Sequence, residues 1–291
     1  MMAAPVSPTS AQRRALLRAG AALAATPLLS GCTMVESMFF YPDRVAYTRP
    51  AQFGLAHEEL FFDSGNARLH GWWLPATAQP ARGAVLHLHG NAANISNHLP
   101  LVAWLPPAGF DVLMFDYRGF GQSEGRPTLA GVVDDAAAAL AALRARPGVD
   151  ASRLIVFGQS LGGATALRLL ARDAAGVRLA IIDSAFASYR QIAREAALDS
   201  VVLAPLLPMA LPMLPPVADD PVTALASIRL PLLFVHGTRD SVVHTRHSEQ
   251  LHAAARDPKR LLKVDGAVHM EALMRPAVQA QVLQQIREAV A

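Results

Sequence analysis

The sequence of 291 residues contains a single cysteine, Cys32. A chain with one cysteine can form no internal disulfide, so its stability has to come from core packing. Charged residues are also few, at 17%, whereas hydrophobic residues make up 52% of the chain. This balance excludes a disordered or fibrous protein and is typical of one large α/β domain with a full core.

Acidic residues are absent before Glu36. The chain has 26 Lys and Arg residues against 23 Asp and Glu residues, and Arg13, Arg14 and Arg18 account for the surplus of three. A chain that begins at Cys32 therefore has 23 basic and 23 acidic residues. Because a neutral body offers no basic patch, we expect no nucleic-acid partner.

The N-terminal region has no apolar run long enough to span a membrane. Its run Ala19–Leu29 follows basic residues and ends in small ones, as in a secretory signal peptide. Residues 29–32 resemble the bacterial lipobox, in which the cysteine is lipidated and becomes the first residue of the mature protein. The alternative for Cys32 is an unpaired thiol near an ordinary cleavage site. The pair of arginines at 13–14 leaves both Sec and twin-arginine export open.

This resemblance implies an exported lipoprotein that is anchored to the membrane through Cys32. Thr33, in place of an acidic residue, implies sorting to the outer membrane on the side facing the periplasm, as in Gram-negative lipoproteins. We expect a removed signal peptide at 1–31 and an anchor-proximal linker at 32–50. Met38–Tyr41 in that linker is apolar enough either to pack on the body or to touch lipid.

Short apolar strands alternate with helical patterns in the rest of the chain. His57–Phe62 and Leu69–Leu74 flank a cluster of turn residues and predict an antiparallel hairpin at a sheet edge. Later runs predict strands at Gly83–Leu88, Phe110–Phe115, Leu154–Phe157, Leu179–Ile182, Leu230–Val235 and Arg260–Val264, and helices at Thr128–Arg146, Leu161–Arg172, Thr245–Ala255 and Pro276–Val290. Parallel strands joined by helices present their carboxyl ends together, so we expect functional loops to gather there.

The strand that begins at Leu154 runs directly into Gly158, Gln159, Ser160, Leu161 and Gly162, which fits G-x-S-x-G, and a helix follows at once. A strand that turns into a helix within so few residues needs glycine where a side chain would meet neighbouring backbone. Such a turn places its central residue on a strained, exposed corner. Ser160 is therefore predicted to be a nucleophile.

A serine hydroxyl needs an imidazole to accept its proton and a carboxylate to orient that imidazole. Asp240 follows the strand Leu230–Val235, and His269 follows the last strand, so the order Ser, acid, His is met. Asp183, which follows a strand of its own, is the rival acid, and Asp116 is expected to be structural.

The other histidines have plainer interpretations. His87, His89 and His236 lie in or at the end of strands and are predicted to be buried hydrogen-bonding residues, whereas His244, His247 and His252 are predicted to be solvated helix positions. His87 and His89 also form H-x-H, but no carboxylate or cysteine cluster accompanies them, so we expect no metal.

An oxyanion formed in acyl transfer needs two fixed donors. The backbone N–H of Leu161, at the start of the helix after Ser160, is the predicted first donor. The loop after His89 and Gly90 is expected to supply the second, which we assign to the N–H of Asn91.

Four segments, His87–Pro100, Phe115–Thr128, Phe157–Leu167 and His236–Val243, resemble the BEM46-like branch of the α/β hydrolases. The resemblance implies a mostly parallel eight-stranded sheet flanked by helices, in a domain that we place at 51–291. It also implies a membrane-associated serine hydrolase of acyl esters or thioesters, with no cofactor.

A small cap is expected at about 189–228, over the carboxyl ends of the strands. Its middle, Val201–Pro216, is too rich in proline to be one regular helix. We interpret this apolar stretch as the wall of an acyl pocket, and a poorly packed loop is the alternative.

The leading functional hypothesis is a lipid-anchored carboxylic-ester hydrolase that acts on a small-molecule or lipid acyl ester. Thioesterase, deacylase or serine peptidase activity would use the same triad, and a non-catalytic binding lipoprotein is a further alternative. The sequence does not indicate an oligomeric state.

Overall fold

An eight-stranded sheet forms the centre of the protein. In the computed structural model, residues 39–198 and 204–291 are described. The strands of this sheet, in chain order, are β1 (Glu58–Ser64), β2 (Ala67–Leu74), β3 (Ala84–Leu88), β4 (Asp111–Phe115), β5 (Leu154–Gln159), β6 (Val177–Asp183), β7 (Leu232–Gly237) and β8 (Lys259–Val264). Their order across the sheet is β8-β7-β6-β5-β3-β4-β2-β1. The six strands β3–β8 are parallel, and β2 pairs antiparallel with both β4 and β1.

Five longer helices cover the sheet: α1 (Gly131–Ala145), α2 (Leu161–Arg172), α3 (Tyr189–Leu198), α4 (Arg246–Ala254) and α5 (Pro276–Val290). Shorter helical turns occur at Pro50–Phe53, Ile95–His98, Leu99–Leu101, Val217–Asp219, Pro221–Ala224 and Ala272–Met274. Helices α2 and α5 have the predicted bounds. Helix α1 begins three residues later than predicted, at Gly131, whose N–H is accepted by the Thr128 hydroxyl at 2.9 Å.

Burial on both faces explains the continuous apolar sequence of the central strands. Every residue of β3, β4, β5 and β7 is buried, as expected of parallel strands covered by helices on two sides. One hydrophobic cluster packs α1, α2 and α4 against the sheet. A second cluster packs α5 and residues 95–110 against the opposite face. The predicted α/β-hydrolase architecture, with its hairpin at one edge, is confirmed.

The predicted cap follows β6 and begins with α3. From residue 204 to residue 213 it consists of the short pieces Ala204–Leu206, Leu207–Ala210 and Leu211–Met213. Prolines at 205, 208 and 212 interrupt this stretch, since proline removes a backbone donor and clashes with the preceding turn. A single regular helix is absent from residues 204–216, as the proline content predicts.

Two short strands outside the main sheet join the start of the described chain to the loop after β3. Tyr41–Pro42 pairs in parallel with Ala92–Ala93. Phe40 is buried against Phe120, whereas Tyr41 is largely exposed. The predicted signal peptide and Cys32 lie outside the described residues. Within 39–198 and 204–291, none of the helices combines the length and the apolar character needed to cross a bilayer.

Candidate active site

Ser160 occupies a strained turn between β5 and α2. Its backbone has φ 53° and ψ −116°, a conformation that residues with a side chain rarely adopt. A Cβ on Gly158 would lie 2.4 Å from the carbonyl oxygen of Gly162, and one on Gly162 would lie 2.0 Å from the carbonyl oxygen of Leu88. The two glycines are therefore required by close backbone contacts, as predicted for a nucleophile elbow.

The structure brings the three predicted triad residues together. The Nε2 atom of His269 lies 3.1 Å from the Oγ atom of Ser160. The Nδ1 atom of His269 lies 2.7 Å from the Oδ2 atom of Asp240. A carboxylate can only accept, so His269 carries its proton on Nδ1 and leaves Nε2 free to accept the Ser160 hydroxyl.

Asp240 is held as a carboxylate by donors on all sides. Its Oδ1 atom accepts the backbone N–H groups of Val242 and Val243, both at 2.9 Å. Its Oδ2 atom lies 3.2 Å from Nε2 of His236, in addition to the contact with His269. Burial by itself would raise the pKa of Asp240, but the hydrogen bonds from His236, His269 and Val243 outweigh burial and hold the pKa well below its usual range. Asp240 is therefore ionised at neutral pH.

The rival acids lie elsewhere. The Asp183 carboxylate accepts hydrogen bonds from Gln159 at 2.9 Å and from the Ser184 hydroxyl at 3.1 Å, and burial raises its pKa. Asp116 accepts the N–H of Ile95 at 2.8 Å and contacts Nδ1 of His70 at 3.4 Å. Neither carboxylate forms a hydrogen bond with His269 among the contacts of the described residues, so the geometry favours Asp240 as the acid.

Both predicted oxyanion donors border the same cavity as Ser160. The N–H of Leu161 is the first of α2, where a helix has no internal acceptor to offer. Asn91 follows Gly90, and a Cβ on Gly90 would lie 3.6 Å from Cβ of Ser160. In the described parts of the chain, neither the N–H of Leu161 nor that of Asn91 donates to another protein group. The two N–H groups are therefore available to a bound oxygen.

The cavity has a volume of about 440 Å³ and is mostly apolar. The cap supplies one wall of the cavity. Its helix α3 contributes Ile192, Ala193, Ala196 and Ala197, and its later residues contribute Leu207, Ala210 and Leu214. Phe39 and Tyr41 of the N-terminal segment and Met270 of the loop with His269 also line the cavity. The remaining apolar lining residues are Ala92, Leu161, Phe186, Val242 and Val243. The polar lining residues are Ser160, His269, Asn91, Asn97 and His98, and no Asp, Glu, Lys or Arg of the described chain takes part. The described part of the cap thus forms a wall of the pocket.

His247 is buried, so its prediction as a solvated helix position is wrong. It lies four residues before Leu251 on the inner face of α4, and this spacing is the signal that identifies the buried face. Its Nδ1 atom accepts the N–H of Ala187 at 3.1 Å, and its Nε2 atom contacts Glu195 of α3 at 2.9 Å. Although burial favours the neutral acid, hydrogen bonds from Arg246, His247 and Gln191 bring the pKa of Glu195 down to about 2. Glu195 therefore links α3, which forms a wall of the cavity, to helix α4.

Three buried histidines underlie the loop after β3. Burial lowers the pKa of His87 to about 3 and that of His98 to about 4, and the pKa of His89 falls well below its usual value for the same reason. His98 has no sequence signal of its own, because it lies in a single helical turn. Across residues 39–198 and 204–291, no group of three or more His, Cys, Asp or Glu side chains is arranged to hold a metal ion.

The mostly parallel sheet, the elbow at Ser160 and the covering helices define an α/β hydrolase. Residues 79–224 match the family described as serine aminopeptidase, S33, and the chain belongs to that family of α/β-hydrolase enzymes. It is 40% identical over 244 residues to the uncharacterized protein YfhR of Escherichia coli strain K12, which covers 81% of this chain and 80% of YfhR.

More distant relatives confirm the BEM46-like resemblance. The α/β hydrolase domain-containing protein WAV2 of Arabidopsis thaliana is 32% identical over 238 residues, or 76% of this chain and 75% of WAV2. The protein bem46 of Schizosaccharomyces pombe is 28% identical over 146 residues, or 49% of each chain. The esterase Pf2001 of Pyrococcus furiosus has the same fold, with a TM-score of 0.70 at 21% identity, over 87% of this chain and 97% of that one.

Proposed function

We propose that this protein is a serine hydrolase that cleaves carboxylic acyl esters through an acyl-enzyme intermediate on Ser160. The observation that carries the proposal is the lining of the cavity. Ser160 and His269 open onto a space of about 440 Å³ whose walls are mostly apolar and whose described lining contains no Asp, Glu, Lys or Arg. Such a space suits an uncharged acyl chain.

The geometry supports the usual two steps of acyl transfer. In the first, Oγ of Ser160 attacks the ester carbonyl while Nε2 of His269 takes the hydroxyl proton. The resulting oxyanion accepts the N–H groups of Asn91 and Leu161, and its collapse expels the alcohol with the proton from His269. Water, deprotonated by His269, then attacks the acyl-enzyme and releases the carboxylic acid and free Ser160. Asp240 stabilises the imidazolium formed in each step.

The same lining bears on the alternatives. An aminopeptidase has to recognise the α-ammonium group of its substrate, which calls for a carboxylate near the nucleophile. The described lining of the cavity contains no Asp or Glu, so it favours esters over peptides with a free N-terminus. Thioesters would enter the same apolar cavity and react on the same triad. The structurally similar protein Pf2001 is named an esterase, which agrees with the proposed cleavage of esters.

The proposal predicts a dependence on acyl chain length. Each buried methylene contributes about 0.8 kcal/mol, or roughly a fourfold gain in kcat/KM, until the chain reaches the end of the cavity. We expect kcat/KM for p-nitrophenyl esters to rise in this way from acetate upward. Ala193→Phe, which places a ring in the cavity wall, should move the maximum to shorter chains.

The matched control for this series is Arg194→Phe. Arg194 lies next to Ala193 on α3 but is exposed and outside the cavity lining. The position of the maximum should be the same in Arg194→Phe as in the wild type. A profile that stays flat from acetate to laurate in the wild type would rule out the cavity as an acyl site.

We further propose that the mature protein is a lipoprotein attached to the membrane through Cys32, in the outer membrane on the side facing the periplasm. The basic and apolar segments before residue 30 and the lipobox-like residues 29–32 support this proposal. A single acyl chain binds membranes weakly, whereas the three chains of bacterial lipoproteins of this type would give firm anchoring.

Replacing Cys32 with serine is expected to abolish incorporation of radiolabelled palmitate and to release the protein from the membrane fraction, because the acceptor thiol is gone. A chain that starts at Thr33 should be soluble and should hydrolyse esters as the anchored form does, since its triad and cavity are complete. Palmitate labelling and fractionation measure both effects. Membrane attachment that persists in the unlabelled Cys32→Ser protein would contradict the proposal and implicate residues 38–41 or the cap.

A further inference from the structure

Backbone hydrogen bonds join the N-terminal segment of the described chain to the loop that carries Asn91. The N–H of Tyr41 donates to the carbonyl oxygen of Asn91, and the N–H of Asp43 donates to that of Ala93, each at 3.3 Å. These bonds form a parallel bridge in which Tyr41 pairs with Ala92. Residues 41–48, which we name the N-terminal strap, thus run along the loop that is expected to bind the oxyanion.

The remaining carbonyls of this loop are held from the other side. The ring N–H of His89, at Nδ1, donates to the carbonyl oxygen of Gly90 at 2.7 Å, and that of His98, at Nε2, donates to Ala92 at 3.1 Å. The carbonyl of Gly90 and the N–H of Asn91 belong to one planar peptide group and point in opposite directions. The bond from Tyr41 fixes the next peptide group. Together these bonds set the direction of the Asn91 N–H.

Asp43 connects the strap to the loop through its side chain as well. Its Oδ1 atom accepts the side-chain N–H of Asn94 at 2.8 Å, and its backbone oxygen accepts the N–H of Gly121 at 2.9 Å. The Oδ1 atom of Asn94 in turn accepts the N–H of Ser96 at 3.0 Å and begins the helical turn Ile95–His98. Between these contacts, Ala93 is held at φ 63°, a strained value for a residue with a side chain.

The strap contributes little to the core. Tyr41 is 61% exposed, and every residue of 41–48 is either exposed or partly exposed. A segment with so little buried apolar surface adds little hydrophobic stabilisation. Its hydrogen bonds are concentrated on residues 91–96, so its effect should fall on the shape of that loop.

We propose that the N-terminal strap positions the oxyanion donor Asn91, with the N–H of Tyr41 and the carboxylate of Asp43 as its positioning groups. The inference rests on the proposed function and goes beyond it. A preorganised donor has its effect in the transition state, where the oxyanion forms, and has little effect on the neutral ester. Damage to the strap should therefore lower kcat and leave KM nearly unchanged.

The sharpest test is the pair Tyr41→Pro and Tyr41→Ala. Both variants remove the ring, but only proline removes the N–H that holds the Asn91 carbonyl. Position 41 precedes Pro42, so its backbone is already restricted to an extended conformation. With p-nitrophenyl acetate, kcat of Tyr41→Pro should be about 10 to 100 times lower than that of Tyr41→Ala, with KM values within about twofold.

A second pair tests Asp43. Asp43→Ala removes one acceptor of the Asn94 side-chain amide and leaves the carbonyl oxygen of Val45, at 2.8 Å, as another. It should lower kcat by about tenfold, a part of the loss typical of one oxyanion donor. Asp43→Asn keeps an amide oxygen at that place and should restore most of the activity. Thermal unfolding has to show that each variant is folded. If Asp43→Ala does not fold, the Tyr41 pair decides alone, because Tyr41 is exposed.

An oxyanion mimic separates positioning from general damage. A trifluoromethyl ketone forms a hemiketal oxyanion with the catalytic serine, so its Ki should rise in proportion to the loss of kcat. Equal kcat values for Tyr41→Pro and Tyr41→Ala, or an unchanged Ki beside a lowered kcat, would overturn the role of the strap. Neither result would touch the proposed function, which is tested separately by the loss of activity in Ser160→Ala and by the acyl-chain profile.

Discussion

Replacing Ser160 or His269 with alanine is expected to lower kcat/KM for ester hydrolysis by about 10⁵-fold, because members of a triad act as a unit. Ser160→Ala removes the only nucleophile at the elbow. His269→Ala leaves the hydroxyl of Ser160 without the Nε2 acceptor that lies 3.1 Å away. Initial rates with a p-nitrophenyl ester, together with labelling by a fluorophosphonate probe, measure both losses.

Stability should be preserved in these variants, since the Ser160 side chain contributes a hydroxyl and little packing. An alanine at position 160 would keep φ near 53°, so the strain of the elbow remains and unfolding temperature should change little. Activity above about a hundredth of the wild type in a folded Ser160→Ala protein would exclude the proposed mechanism. Such a result would assign the hydrolysis to a group other than Ser160.

Asp240→Asn is expected to lower kcat/KM by about a thousandfold or more near neutral pH. The two backbone N–H groups of Val242 and Val243 will hold the amide oxygen at the place of Oδ1. The amide NH₂ then faces Nδ1 of His269, which has to accept rather than donate. His269 would carry its proton on Nε2 and could not accept the proton of Ser160.

Asp183→Asn is the matched control, because it makes the same chemical change in another buried carboxyl. Asp183 is the last residue of β6, the strand next to β7. The partners of Asp183 are Gln159 and Ser184, and a hydroxyl can accept from the new amide. We expect a loss of less than about tenfold. Steady-state kinetics of the two variants decide the assignment, and a larger loss for Asp183→Asn would transfer the role of the acid to that residue.

The local signals of the sequence predicted the fold, and they pointed to the three side chains that the structure brings together at Ser160. The elbow has the local signature G-x-S-x-G, and the later strands each contain their own apolar residues. Asp240 and His269 each follow such a strand directly, so the parallel sheet alone was enough to place them at one edge. In the structure β5, β6, β7 and β8 are adjacent and parallel, so their carboxyl ends lie on the same side of the sheet.

Contacts between distant segments could not be predicted in the same way. The pairing of Tyr41–Pro42 with Ala92–Ala93 joins two pieces of only two residues, too short to show any alternation. The spacing from Leu251 could have identified His247 as buried, but its contact with Glu195, 52 residues away on α3, has no local signal. The sequence also left open whether residues 38–41 pack on the body, and only the structure shows Phe40 buried and Tyr41 exposed.

The position of Phe39 in the cavity wall has a consequence for an anchored chain. Phe39 is the seventh residue after Cys32, and seven fully extended residues span about 25 Å. Acylation of Cys32 would therefore keep the entrance of the cavity within that distance of the lipid headgroups. The rate at which the protein meets an ester in the same leaflet would then depend on the surface density of that ester. Dilution of the surrounding solution would leave the rate of turnover unchanged.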